Sequence, residues 1–131
     1  MKYFKLSYLI GISLTVLISG GYTVKNDIIK KPGTIHHTVY FKLKYAAGSA
    51  EEQEFFKASG VLPEIPGVIN FQRLKESSKK NNFDHGFAME FADQDTYDRY
   101  SNHPSHNNFV EEYWVPYVAE FMEIDFEVVK E

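Results

Sequence analysis

Apolar and polar residues alternate first along Ile35, His37, Val39, Phe41 and Leu43, against His36, Thr38, Tyr40, Lys42 and Lys44. A period of two predicts a half-buried strand, with His37 on its apolar face and His36 on the other. Ser49-Ala50-Glu51-Glu52 has the form of a capping box and opens a helix that turns Phe55, Phe56 and Leu62 inward. Gly60 and Pro63 weaken and then stop it. Ile65-Pro66-Gly67 predicts a turn, and Val68 to Leu74 a second strand.

Lys75 to Asn82 (KESSKKNN) contains no apolar residue and predicts a mobile loop. Phe83 to Phe91 follows as a third strand, with His85, Phe87, Met89 and Phe91 on one face and Gly86, Ala88 and Glu90 on the other. Asp93 is placed to cap a helix that carries Tyr97 and Tyr100, three apart and so on one face. Asn102-His103-Pro104 breaks that helix, because the residue before a proline avoids the α region. His106 stands at the mouth of the next helix, Asn107 to Trp114, in which Phe109 and Tyr113 are four apart; Pro116 then kinks it or starts a fresh turn. Phe121 to Val129 closes the chain as a strand alternating Met122, Ile124, Phe126 and Val128 with Glu123, Asp125 and Glu127.

The order strand, helix, strand, strand, broken helix pair, strand is that of an α+β, ferredoxin-like βαββαβ domain. It predicts a four-stranded antiparallel sheet with helices on the face of the His37 and His85 rows. The other face is left open, which predicts a homodimer of twofold symmetry formed through it.

The N-terminus lies apart from this pattern. Lys2 and Lys5 precede a mainly apolar run from Leu6 to Ile18, and Ser19-Gly20-Gly21 supplies small residues. These are the parts of a signal peptide, or of an N-terminal anchor if uncleaved, over residues 1–21. The protein is therefore expected to be exported: periplasmic, secreted or held at the outer side of the cytoplasmic membrane, with membrane contact only through an uncleaved N-terminus. Residues 22–33 read as a linker and 34–131 as the folded domain.

Charge narrows the partners. The 131 residues carry 14 Lys and Arg against 18 Asp and Glu, a net charge of −4. That balance argues against a nucleic-acid binder, which would normally show a basic face. No cysteine is present, which removes disulfides, thiolate metal sites and cysteine nucleophiles. Aromatic residues make up 16% of the chain, enough to line a pocket for a small apolar or aromatic ligand as well as fill a core.

The candidate chemistry gathers at the helix corner. A phenol and an imidazole from Tyr100 and His106 can form a proton-transfer pair, His106 as general base and Tyr100 as donor to a developing oxyanion. The alternatives are structural: His106 bonding backbone at the turn, and Tyr100 packed in the core. His37, Val39 and Phe41 on strand one, with His85 and Phe87 on strand three, are the expected pocket lining. Phe55 and Phe109 complete it from the helices. Strands one and three are central neighbours in such a sheet, so His37 and His85 are expected to approach each other. A metal site built on His103, His106, His37 and His85 is not expected, because Pro104 bends the backbone between the first two. No cofactor motif is present.

Four landmarks carry a family resemblance: His37-Thr-Val-Tyr-Phe-Lys-Leu-Lys, Ile65-Pro-Gly-Val, Asp84-His-Gly-Phe-Ala and Tyr100-x-x-His103-Pro-x-His106. Taken in order, they resemble the stress-responsive dimeric A/B barrel (Dabb) family over His37 to Phe126. The resemblance implies a ferredoxin-like protomer dimerised sheet to sheet into an α/β barrel. It also implies mixed functions. Some members are stress-induced proteins without an assigned reaction. Another is a plant polyketide cyclase in which a Tyr–His pair promotes an aldol condensation, and Tyr100 and His106 match that pair. His37 and His85 match histidines of the same pocket. The reading is thus an exported dimeric small-molecule-binding or stress-related module, with a cofactor-free cyclase or lyase as the alternative.

Overall fold

The computed structural model describes residues 31–130, so the leader and most of the linker lie outside the described residues. Strand β1 (Ile35–Leu43) buries every second side chain, as its alternation requires. Helix α1 (Ala50–Ala58) is capped by Ser49, whose hydroxyl accepts from the Glu52 amide at 3.1 Å. The Glu52 carboxylate reaches back to the Gly48 amide and not to that of Ser49. A 3₁₀ segment (Ser59–Glu64) carries Gly60 and Pro63 and buries Leu62. At the next turn Gly67 has φ +96°, open to glycine and costly for other residues.

Strand β2 (Ile69–Lys75) starts and ends one residue later than the sequence predicts, and β3 (His85–Phe91) starts two later. A register shift between Ile69 and Gln72, with Asn70 at φ 53°, marks a bulge at the start of β2. Helix α2 (Gln94–Ser101) begins at Asp93, whose carboxylate accepts from the Thr96 amide at 2.8 Å. Helix α3 (Pro104–Phe109) starts at the proline itself, with His103 as its cap.

The predicted continuous helix to Trp114 is broken differently. A π-helical turn (Val110–Trp114) intervenes, closed by a bond from the Val115 amide to the Val110 carbonyl, before a short α4 (Val115–Tyr117). Pro116 has no N–H to give to the carbonyl four residues back, so regular α geometry cannot run through it. Strand β4 (Val118–Glu127) therefore begins three residues early.

The sheet order is β2-β3-β1-β4, antiparallel throughout, with the helices on one face. This is the predicted ferredoxin-like fold. The core is aromatic: Phe41, Phe55, Phe87 and Phe91 are buried almost completely between sheet and helices. Phe41 and Phe87 meet at 4.9 Å between ring centroids, Phe91 and Tyr100 at the same distance.

Candidate active site

Each strand sends particular side chains to the helix-covered face. The register opposes His37 to Asp125, Val39 to Glu123 and Phe41 to Phe121. Cross-strand partners share a face, so β4 turns its acidic row toward the helices. The apolar row of Met122, Ile124 and Phe126 then lies on the open face. The alternation of β4 alone does not say which row points where; the pairing with β1 does.

The helix corner closes over this face. Tyr100 is 2% exposed, and its ring lies 4.7 Å from that of His106 and 6.3 Å from that of His37. All three border a hollow of about 380 Å³. Val39, Phe87, Met89 and Phe109 form its apolar walls. Trp114, Val115 and Phe121 stand at its open side, the last two well exposed. The π-helical turn is what presents Trp114 here. Glu123 is the carboxylate on the lining.

Burial weakens His106 as a base, holding it below the ordinary histidine value, while the Asn107 side chain and the Ser101 carbonyl act the other way. Its Nδ1 is sealed from solvent without a hydrogen-bond partner. Tyr100 is pushed up by burial and by the charge of Glu123, so its phenol stays protonated and able to donate. Its hydroxyl makes no hydrogen bond to another described residue.

A second cluster adjoins the first. His37 Nδ1 lies 2.7 Å from Asp125 Oδ1. Tyr97 donates to Asp125 Oδ2 at 3.0 Å and, more weakly, to Glu123 at 3.3 Å. Burial and the bond to Asp125 push the Tyr97 phenol up. The ligand atoms of His37, Glu123 and Asp125 all lie within 4.8 Å of one another, so this group has the reach to hold a cation. Their hydrogen bonds to one another and to Tyr97 already engage them.

The residues expected from sequence divide into two sets. Tyr100, His106, His37, Val39, Phe87 and Phe109 come together around the hollow. Phe41 and Phe55 do not border it; both are fully buried in the core beneath it. His85 is elsewhere as well. It stands opposite Phe41 whereas His37 stands opposite Met89, four positions and so about 13 Å along the ladder. The expected approach of the two histidines fails for that reason, and a four-imidazole metal set fails with it. His85 pairs instead with Glu52 at 3.2 Å and packs edge-on to Phe56. Burial lowers its pKa, with Glu52 opposing.

Tyr97, Glu123 and Asp125 were not among the expected site residues. The signal for the two acids was available: pairing β4 antiparallel to β1 places a carboxylate row beside the His37 row.

Residues 35–128 match the Stress Responsive A/B Barrel Domain. No curated protein matches the sequence. Among solved structures, a dabb family protein of Mesorhizobium loti with a ferredoxin-like fold is 46% identical. The match covers 75% of this chain and 99% of that one, with a TM-score of 0.72. A dimeric ferredoxin-like protein of unknown function from Thermobifida fusca is 18% identical over 78% of this chain and 97% of its own, TM-score 0.64. The hydroxynitrile lyase of Passiflora edulis is 14% identical over 77% and 98%, TM-score 0.67. The last two are alike in fold alone. With the family signature spanning the whole folded part, the chain belongs to the stress responsive A/B barrel family.

Proposed function

We propose that this protein is an exported homodimer whose protomers each bind a small, mainly apolar molecule in the hollow under the α2–α3 corner. One observation carries the reading: Tyr100 and His106, rings 4.7 Å apart, border an open space of about 380 Å³ and not a packed core. That volume and its mostly apolar lining are those of a small-molecule site. Dimerisation is supported by the exposed Met122 and Phe126 on the open face and by the dimeric proteins of the same fold. Export is supported by the Lys2–Lys5 start and the apolar run that follows.

The close Tyr–His approach favours a second reading, a cofactor-free lyase or cyclase. His106 would take a proton from the ligand, and Tyr100 would hydrogen-bond the oxygen on which charge develops. A lyase of this fold lends it support at the level of architecture.

Mass spectrometry of small molecules co-purifying with the wild type, His106→Ala and Tyr100→Phe tests both. The wild type is expected to retain an apolar compound that both variants lose. Equal retention by all three, or none in any, removes the corner from the account.

A further inference from the structure

The polar end of the hollow is unevenly supplied with donors and acceptors. Asp125 is engaged at both oxygens, by His37 Nδ1 at 2.7 Å and by the Tyr97 hydroxyl at 3.0 Å. An ionised carboxylate only accepts, so Nδ1 of His37 carries the hydrogen in this contact, and in a ring with one hydrogen the lone pair is then on Nε2. His37 is 6% exposed. Its Nε2 makes no hydrogen bond to a described residue, and it is not one of the sealed nitrogens, which are His36 Nε2 and His106 Nδ1. It therefore keeps accessible surface, and the hollow is a space that His37 lines.

Glu123 is a second acceptor at this end, and among the described residues no lysine or arginine lines the hollow. An entering anion would lose its hydration, meet a carboxylate and find no countercharge. A hydroxyl would fare better, since the Tyr100 phenol can donate to its oxygen while His37 takes its hydrogen. Both rings border the same hollow, their centroids 6.3 Å apart, so one such group in the hollow has both within its surroundings.

We propose that the hollow selects uncharged, mainly apolar molecules bearing a hydroxyl, an alcohol or a phenol, and discriminates against carboxylates, with His37 Nε2 as the acceptor. Asp125 is then a positioning residue that decides which imidazole nitrogen faces the ligand, and Tyr97 holds Asp125. This rests on the hollow being a ligand site and adds the class of ligand.

The test compares 2-naphthol, naphthalene and 2-naphthoate by calorimetry at pH 7, with imidazole ¹⁵N spectra of His37. The wild type is expected to show the Nδ1–H form. Naphthol is expected to bind roughly tenfold more tightly than naphthalene, the worth of about one net hydrogen bond, and naphthoate more weakly than either. In Asp125→Asn the amide can donate to Nδ1, moving the ring hydrogen to Nε2; the advantage of naphthol over naphthalene should vanish while naphthalene binding stays. Glu123→Gln, which leaves that bond in place, should strengthen naphthoate several-fold. An Nε2–H form in the wild type, naphthoate binding as well as naphthol, or a naphthol preference that survives Asp125→Asn overturns the selectivity alone. Failure of all three probes to bind overturns the ligand-site reading and this inference with it.

Discussion

At His106 the ring exchanges solvent for the phenol of Tyr100, and the imidazolium is the form that suffers. A histidine whose folded pKa lies below its unfolded value is bound by more protons when unfolded. Its neutral form thus lets the fold keep full stability above the ordinary value near 6.5, and stability falls as pH drops from there toward the folded pKa. His85, lowered by burial too, adds a loss of the same sign. Urea midpoints measured from pH 7.5 to 5 should therefore decline for the wild type, and decline less for His106→Gln. Parallel declines would mean that His106 is not desolvated. At this scale Tyr100, His106 and His37 were legible from the corner motif and the β1 alternation. Asp125 was not, because a carboxylate on a strand looks like a solvent-facing residue until its neighbour is known.

The elements hold these groups through their ends and turns. Asp93 starts α2 and so sets where Tyr97 and Tyr100 point; its carboxylate also accepts from the Thr96 hydroxyl at 2.6 Å. Asp93→Ala should cost about 0.5–2 kcal/mol in urea unfolding. Gly67 ties the turn before β2 to the same helix. A Cβ there would come within 2.3 Å of Thr96 Cγ2, and φ +96° is itself unfavourable for alanine. Gly67→Ala should cost roughly 1–3 kcal/mol. Adding Thr96→Ser, which removes that methyl but keeps the hydroxyl, should recover only the steric share. Full recovery would mean that the backbone angle carries no strain.

Strand and helix positions were readable because their periods and caps are local. The π-helical turn was not, since it depends on where the chain must land to pair Leu43 with Val118. The face of β4 was hidden for a related reason. Its apolar row reads as inward by hydrophobicity, yet the register puts it outward, which suits a strand whose second face another surface covers.

At the scale of the whole molecule, one sheet face is occupied by helices and the other offers Met122 at 42% and Phe126 at 64% exposure. Ile124, between them, lies opposite Thr38 of β1. If a second copy covers this face, Ile124→Glu should convert the dimer to monomer in light scattering while leaving binding in the hollow on the other side intact. A variant that stays dimeric would move the interface elsewhere.

The two folded-domain methionines report on the two faces separately. Met89 lines the hollow at 2% exposure, and Met122 stands on the open face. With ¹³C-methyl methionine and increasing 2-naphthol, the Met89 signal should move saturably and the Met122 signal should stay in place. Movement of Met122 with Met89 unmoved would place the ligand on the sheet's other side and contradict the site assigned to Tyr100, His106 and His37.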